Sequence, residues 1–153
     1  MDDVDRKQRL AGLARICRER GLRCTVQRRA ILETVLELDN HPTAEQVYEA
    51  VVPRLPGVSK TTVYRALESL AQLGVISKAC HHGAVARYDC RTELHHHLIC
   101  LHCDSIIDIS DERLDALVVP DTSGFGFNVT DFRVQLRGIC RRCRDHQRRE
   151  EST

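Results

Sequence analysis

The segment Ser59–Gly74, SKTTVYRALESLAQLG, decides the fold of the first half of this chain. Its apolar residues recur at helical spacing, Ser59 is a suitable N-cap, and Gly74 stands where helices commonly end in a left-handed residue. The N-terminal half of such a helix presents phosphate and base-edge donors. These candidate DNA contacts are Ser59, Lys60, Thr61, Thr62, Tyr64 and Arg65.

Three further helices are predicted before this segment. Helical spacing of apolar residues indicates one helix over residues 4–19. Thr25 can cap a second helix that runs to about Leu38. The sequence TAEQ, which begins at Thr43, has the capping-box form and opens a short helix to about Val52.

A hairpin is predicted after the Ser59–Gly74 helix. The runs VISKA and AVARYDC flank a turn at His81-His82-Gly83. Helices followed by a two-stranded hairpin describe a winged helix-turn-helix, in which Ser59–Gly74 is the recognition helix in the DNA major groove. The alternative is a small helical bundle in which this helix is merely amphipathic.

The second half of the sequence has a different pattern, typical of a small α/β domain. It contains β-like runs at Leu98–Cys100, Ile106–Ile109 and Phe127–Leu136, a helix from Ser110 to about Val118, and a basic helix at Arg141–Arg149. We therefore predict an α+β protein with an N-terminal winged helix-turn-helix and a small C-terminal α/β domain. The predicted divisions are residues 1–84, a hinge at 85–92, and residues 93–153.

Composition is consistent with a soluble, cytoplasmic, DNA-binding protein. The 153 residues are 42% hydrophobic, and no run approaches the roughly 20 apolar residues of a membrane helix. The net charge is only +1, yet nine basic residues and one acid lie between Arg6 and Arg29. Such a patch suits phosphate contact, although a solvated helix face is an equal alternative.

Eight cysteines in a reducing compartment indicate metal or redox chemistry. Cys100-x-x-Cys103 recurs as Cys140-x-x-Cys143, and two such pairs make a closed tetrahedral site that suits structural Zn2+. A redox pair would not need the second Cys-x-x-Cys, and plain buried cysteines are the remaining alternative. The other four cysteines lack this spacing and are expected to be small buried hydrophobes or solvent-facing thiols: Cys17, Cys24, Cys80 and Cys90.

Three consecutive histidines precede the first cysteine pair. If residues 94–100 form a strand, His95 and His97 share one face and His96 points away, so His96 is expected to be incidental. The histidines and the cysteines can then serve two different metal ions. Asp89 and Asp108 are nearby carboxylate candidates, whereas His41 taken alone is more typical of a helix-flanking surface residue.

The motifs NHPTAEQVY, SKTTVYRALESLAQLG, RYDC, HHHLICLHCDSIIDI and RGICRRC resemble, in order and spacing, those of the ferric-uptake regulator (Fur) family over most of residues 10–145. Members are dimeric, metal-dependent transcription repressors, so the resemblance implies a homodimer that binds a palindromic operator in double-stranded DNA. It implies structural zinc on Cys100, Cys103, Cys140 and Cys143. It implies a regulatory metal on His41, Asp89, His95, His97 and Asp108, and DNA contacts that also include Arg23, Thr25 and Arg28.

Two aspartates with three histidines look like the peroxide-sensing branch of the family, the PerR repressors. The resemblance implies that Fe2+ at this site reacts with peroxide, that His41 or His95 is oxidised, and that the DNA is released. Nitrogen and oxygen ligands suit Fe2+ or Mn2+, whereas thiolates favour zinc. Zn2+ can also occupy such a site in vitro.

Several departures keep an iron- or zinc-responsive uptake regulator as the alternative. Val26 stands where the family usually has Pro, and Phe132 where many members have a metal-binding His. Cys90 beside Asp89, together with Cys80, His81 and His82, adds possible ligands. A zinc enzyme that uses His95, His97 and a carboxylate is a remote alternative, because no motif supplies a separate general base. We therefore expect a regulator and not an enzyme.

Overall fold

Residues 3–39, 41–79 and 85–150 are described by the computed structural model of the chain. One compact unit ends at Thr92 and a second begins at Glu93. Within the described residues, no helix is both long enough and apolar enough to cross a membrane. The mixture of helices and short strands confirms the predicted α+β class.

The first unit contains four helices followed by a two-stranded antiparallel sheet. The elements are α1 (Asp3–Glu19), α2 (Val26–Leu38), α3 (Ala44–Val51), α4 (Lys60–Gln72), β1 (Ser77–Ala79) and β2 (Arg87–Asp89). Lys78 of β1 lies opposite Tyr88 of β2. This order confirms the predicted winged helix-turn-helix, although the turn at His81-His82-Gly83 and Cys80 lie outside the described residues.

The helix boundaries of the first unit follow the cap residues in the sequence. The hydroxyls of Thr25 and Ser59 accept hydrogen bonds from the backbone N–H groups of Arg28 and Thr62. Thr43 and Gln46 form the complete capping box. Gly74 has φ of 70° just after α4, a conformation that glycine adopts without the steric cost of a Cβ.

A single apolar core holds these elements together. Leu13 of α1, Leu32 of α2, Val47 of α3 and Leu67 of α4 are all fully buried in one cluster, and Tyr88 of β2 joins them. Polar contacts also join the two-stranded wing to α4, since Lys78 and Tyr88 both donate to the Glu68 carboxylate, at 2.6 and 2.9 Å. The orientation of α4 and of the wing is therefore fixed by the same core.

The second unit is built on a three-stranded sheet. Its elements are β3 (His96–Cys100), β4 (Ile106–Ile109), α5 (Glu112–Asp115), a 3-10 turn (Ser123–Phe125), β5 (Gln135–Gly138) and α6 (Arg141–Glu150). The strand order is β4-β3-β5, and β3 is antiparallel to β4 and parallel to β5. The central strand β3 begins with His96 and His97, directly after His95, and ends at Cys100.

Two predicted elements of this unit were wrong in extent. The strand expected over Phe127–Leu136 begins only at Gln135. The Val134 carbonyl still accepts from the His97 N–H at 3.0 Å, but the Val134 N–H donates to the His96 ring and not to a backbone carbonyl of β3. The helix expected from Ser110 to Val118 is limited to Glu112–Asp115. Val118 is 92% exposed, so no apolar contact supports a longer helix.

The first unit includes β2, which occupies three residues of the predicted hinge at 85–92. The hinge itself stays a prediction.

Candidate metal centres and nucleic-acid interface

Four cysteines of the second unit lie in one cluster. Cys100 ends β3, Cys103 follows in the turn, Cys140 precedes α6, and Cys143 lies in its first turn. The parallel pairing of β3 with β5 sets Cys100 opposite Gly138 and so brings the two Cys-x-x-Cys turns together.

The separations of the four sulfur atoms fit one tetrahedral ion. All four lie within 4.8 Å of one another, and the Sγ atoms of Cys103 and Cys140 are 3.9 Å apart. Ligands at a Zn–S distance of roughly 2.3 Å are about 3.8 Å apart in a tetrahedron. A closed set of four thiolates leaves no position for a substrate, so the cluster suits a structural role.

The surroundings of this cluster favour thiolates at two positions. The backbone N–H of Cys140 donates to the Cys100 sulfur at 3.3 Å, and this contact lowers the pKa of Cys100. The hydroxyl of Ser105 lies 3.2 Å from the Cys103 sulfur and lowers the pKa of Cys103 to about 5. Hydrogen bonding to Cys140 and burial raise the pKa of Cys143 to about 12, so a bound dication must displace its proton.

His95, His97 and Asp108 form a second cluster in the same unit. The Nε2 atoms of His95 and His97 are 3.0 Å apart, and Asp108 Oδ1 lies 3.8 and 3.6 Å from them. Asp108 is placed there because it pairs directly with His97 across the antiparallel strands β3 and β4. Two nitrogen ligands roughly 2.1 Å from one ion are about 3.0 Å apart at adjacent octahedral positions.

The backbone selects the tautomer of His95. Its Nδ1 lies 2.8 Å from the carbonyl oxygen of Glu93, which can only accept a hydrogen bond. Nδ1 therefore carries the proton, and the Nε2 lone pair faces His97 and Asp108. A carbonyl partner of this kind commonly orients a metal-binding imidazole.

His41 and Asp89 form a pair in the first unit. His41 Nε2 lies 3.5 Å from Asp89 Oδ2, and both side chains are buried. His41 has φ of 48°, a left-handed conformation that is uncommon for a residue with a Cβ. The guanidinium of Arg87 donates to the His41 carbonyl at 3.1 Å and holds this backbone against β2. No motif in the sequence pointed to this role of Arg87.

The sequence suggested that His96 is incidental. In the structure it is a fully buried residue with its own partners. It lies on the opposite face of β3 from His95 and His97, as strand alternation predicted. Its Nδ1 accepts from the Val134 N–H at 3.0 Å, so its Nε2 carries the proton and donates to Asp115 at 3.0 Å. Phe132 stacks on its ring with centroids 6.0 Å apart and planes inclined by 30°.

Cys90 belongs to the core of the first unit. Its sulfur lies 3.8 Å from Asp39 Oδ1, and burial raises the pKa of its thiol to about 11. A buried thiol that keeps its proton is a poor metal ligand, which weakens the case for a thiolate beside Asp89. Cys17 is also buried, as expected, whereas Cys24 is exposed.

The residues expected to contact DNA fall at the N-terminal ends of α2 and α4. A cavity of about 420 Å³ separates these ends, and its walls are formed by Leu22, Arg23, Thr25, Gln27, Arg28, Thr62, Arg65 and Ala66. Thr61, Tyr64 and Arg65 are exposed on α4, and Arg23 is exposed before α2. One surface of the first unit thus combines guanidinium and hydroxyl groups.

Some of these side chains already have partners within the unit. The hydroxyls of Thr25 and Ser59 cap their helices. Lys60 forms an ion pair with Glu45 at 2.5 Å and lies 5.4 Å from the centre of the Tyr48 ring. Val26 is the first residue of α2, so the cap at Thr25 starts this helix without the proline that the family usually has.

Comparisons with known proteins agree with this arrangement. The model of the ferric uptake regulator family matches residues 19–137. The peroxide-responsive repressor PerR of Staphylococcus saprophyticus is 34% identical over 128 residues, which cover 84% of this chain and 86% of that protein.

Two solved structures support the same fold. The ferric uptake regulator Fur of Helicobacter pylori superposes with a TM-score of 0.74 at 22% identity, and the match covers 91% of this chain and 93% of that one. A zinc-bound manganese uptake regulator has a TM-score of 0.64 at 30% identity and covers 84% and 98%. This chain belongs to the ferric uptake regulator family and is a metal-responsive regulator of that family.

Proposed function

We propose that this chain is a metal-dependent, DNA-binding transcription repressor of the peroxide-sensing type. The observation that carries the proposal is the cluster of His95, His97 and Asp108, in which nitrogen and oxygen donors converge without a thiolate. Relatives that are 31–34% identical are named peroxide-responsive repressors, which supports the same branch. The names of these relatives describe repressors, which favours a regulator over a zinc enzyme.

Zinc is proposed for the cysteine cluster, where it has a structural role. It joins the end of β3 to the start of α6, so it closes the small sheet of the second unit. This unit is proposed to be the dimerisation domain of a homodimer. A metal bound only by the folded state adds its binding free energy to folding, which explains how a sheet of short strands is stabilised.

The regulatory metal is proposed to bind His41 and Asp89 of the first unit together with His95, His97 and Asp108 of the second. Three neutral imidazoles and two carboxylates balance a divalent charge and suit Fe2+ or Mn2+. Because the ligands come from both units, bound metal would fix the angle between them across the hinge at 85–92. The angle between the units would then have two states, and bound metal would favour the one that binds DNA.

Peroxide sensing is proposed to act through the same ligands. Bound Fe2+ supplies the redox chemistry that turns peroxide into an oxidant of a nearby group. The chain supplies imidazoles whose orientation is fixed, and His41 and His95 are the ones we propose to be oxidised. An oxidised imidazole is a weaker ligand, so the metal and then the DNA are released.

The DNA contacts are proposed for the surface formed by the N-terminal ends of α2 and α4. Tyr64 and Arg65 are proposed to reach base edges in the major groove of a palindromic operator. Seven further residues are proposed to position the unit on the DNA phosphates: Arg23, Thr25, Arg28, Ser59, Lys60, Thr61 and Thr62. Lys60 must exchange its ion pair with Glu45 for a phosphate if it takes part.

The second candidate function is an iron-, zinc- or manganese-responsive uptake regulator that does not sense peroxide. It is favoured by the similarity to a zinc-bound manganese uptake regulator at 30% identity. The two candidates share the DNA-binding and metal-binding steps and differ only in whether a ligand histidine is oxidised.

Mass spectrometry of Fe2+-loaded protein before and after one equivalent of peroxide separates the two functions. A peroxide sensor gains one oxygen atom on a peptide that contains His41 or His95, and it loses affinity for a palindromic duplex in a gel-shift assay. An uptake regulator keeps its mass and its affinity. A protein that never shifts the duplex with Fe2+, Mn2+ or Zn2+ is not a regulator of this kind.

A further inference from the structure

Arg9 joins the first helix of the chain to the residue that follows β2. Its guanidinium donates a hydrogen bond to the backbone carbonyl of Cys90. Its Nε lies 3.3 Å from the carboxylate of Asp5, one helical turn earlier on α1. The Arg9 side chain is only 18% exposed, so these contacts are largely shielded from water.

The Cys90 carbonyl belongs to the peptide group that orients Asp89. This peptide group joins Cys90 to Arg91, and its N–H donates to Asp89 Oδ1 at 2.8 Å. A contact from an aspartate side chain to the backbone N–H two residues later is an Asx turn. Because a peptide group is planar, Arg9 holds its carbonyl edge while the Asp89 carboxylate accepts from its N–H edge.

The turn also determines which oxygen of Asp89 faces His41. With Oδ1 accepting from the Arg91 N–H, Oδ2 is the oxygen that lies 3.5 Å from His41 Nε2. If the peptide group between residues 90 and 91 rotated, its N–H would leave Oδ1 and the carboxylate could turn. The direction of Oδ2 therefore depends on the orientation of a peptide group that Arg9 holds.

The side chain of Cys90 anchors the same turn in the core of the first unit. It is 5% exposed, and its sulfur lies 3.8 Å from Oδ1 of Asp39, the C-cap of α2. This contact fixes the position of residue 90, but it does not fix the rotation of the peptide group that follows. The bond from Arg9 supplies that second constraint.

We propose that Arg9 is a positioning residue for the regulatory metal: it fixes the peptide group between residues 90 and 91 and so directs Asp89 Oδ2 at the ion. The inference rests on the proposed function, because it takes Asp89 to be a ligand. Arg9 is not a ligand itself, since a guanidinium offers only donors and is positively charged. The N-terminal helix, which carries none of the proposed ligands, thereby helps to set the metal affinity.

The sign of the effect separates positioning from charge. A guanidinium close to a cation site repels the ion, so its removal would strengthen metal binding if charge alone mattered. Loss of a group that orients a metal ligand commonly weakens binding about ten- to a hundredfold. Positioning therefore predicts weaker binding even though a repelling charge has been removed.

The first test is the Mn2+ affinity of the full-length, zinc-containing protein, measured by isothermal titration. Arg9→Met keeps the apolar stem of the side chain but donates nothing, and it should bind Mn2+ at least tenfold more weakly. Arg9→Lys keeps a charge and a donor, and its affinity should lie between those of Arg9→Met and the wild type. Wild-type affinity in both variants, or tighter binding by Arg9→Met, would overturn the inference.

Arg6→Met is the matched control for a merely structural role. Arg6 also joins α1 to another element of the first unit, because its guanidinium lies 3.4 Å from the carboxylate of Glu37 on α2. Arg6→Met should lose about as much stability in urea as Arg9→Met and keep the Mn2+ affinity of the wild type. If both variants weaken Mn2+ binding alike, Arg9 only supports the fold and the inference fails.

The second test is a double-mutant cycle with Asp89→Asn. If Arg9 acts through Asp89, Arg9→Met should weaken Mn2+ binding much less in the Asp89→Asn background than in the wild type. An equal loss in both backgrounds contradicts the inference. If Asp89→Asn alone leaves the Mn2+ affinity unchanged, the proposed ligand set fails and this inference fails with it. If Asp89→Asn weakens binding and Arg9→Met does not, only the role of Arg9 is wrong.

Discussion

The guanidinium of Arg87 donates to the backbone carbonyl of His41 at 3.1 Å, and this contact fixes a left-handed histidine next to Asp89. The next residue of β2 makes a similar contact, since the N–H of Tyr88 donates to the carbonyl of Pro42 at 3.0 Å. The wing strand β2 therefore holds the loop that carries His41. Arg87 thus positions His41, although Arg87 is not itself one of the proposed metal ligands.

Arg87→Ala should weaken Mn2+ binding by roughly tenfold or more, as losses of groups that orient metal ligands commonly do. The reason is that the His41 backbone is free to leave its strained conformation. Isothermal titration with Mn2+ measures the effect. Arg87→Lys is the matched control, because lysine keeps a donor and a charge. Its affinity for Mn2+ should lie between those of the wild type and Arg87→Ala. Equal affinity for wild type and Arg87→Ala would show that His41 needs no such support.

Cys140→Ser should abolish the zinc site and yield a destabilised, monomeric protein. One missing thiolate leaves a three-ligand site in a unit whose strands have four or five residues each. Zinc content by atomic absorption and mass by light scattering test this. Cys24→Ser is the control with all four cluster thiols intact, and it should keep zinc and dimer. A Cys140→Ser protein that remains dimeric with full zinc would contradict the assignment.

Arg65→Ala should cost roughly 1–3 kcal/mol in operator binding if Arg65 reads a guanine edge. Arg65 is exposed on α4 and lines the cavity beside Thr62. Fluorescence anisotropy with matched operator and scrambled duplexes measures affinity and preference. Arg15→Ala, an exposed arginine paired with Glu19 on α1, is the control. Unchanged affinity and preference would mean that another face of the unit meets the groove.

Asp108→Glu should keep metal-dependent DNA binding and lose sensitivity to peroxide. Glu is one methylene longer and alters coordination geometry and access to the position left open by five ligands. The measurement is oxygen addition at His41 or His95 in Fe2+-loaded protein, located by peptide mapping. Mn2+-loaded protein should bind DNA and resist peroxide. Oxygen added only at cysteines, with DNA binding unaffected, would favour the uptake-regulator alternative.

Glu68 should make the stability of the first unit depend on pH. Its hydrogen bonds from Lys78 and then Tyr88 lower the pKa of this carboxyl. A lowered pKa means that the stabilisation is complete above the unfolded value of roughly 4.3 and is lost as pH falls through the folded value. Because the Glu68 side chain is 43% exposed, we expect its charge to contribute only roughly 0.5–1 kcal/mol to the free energy of unfolding.

Urea unfolding of the wild type and of Glu68→Gln at pH 7 and pH 3 measures this contribution of Glu68 to stability. The difference in free energy of unfolding should be largest at pH 7 and nearly vanish at pH 3. A difference that is the same at both pH values would show that the charge of Glu68 is not what joins the wing to α4.

The sequence predicted the elements whose boundaries are set by local chemistry. Thr25, Thr43 and Ser59 each cap the helix that was expected to begin there, and the paired cysteines meet in the second unit. Features that depend on distant partners were predicted with the wrong extent or were missed. The sequence could not show that the backbone N–H of Val134, next to the start of β5, donates to the ring of His96, 38 residues away. Arg87 was missed for the same reason, because its acceptor is a backbone carbonyl 46 residues away.

The contacts of His96 also determine which histidines face Asp108. A slip of the strand by one residue exchanges its two faces, so it would turn His96 to the face where His95 and His97 now lie. It would break the hydrogen bonds of His96 with Val134 and Asp115 and its stacking on Phe132. His96 therefore specifies the register of β3, and that register places His95 and His97, rather than the middle histidine, beside Asp108.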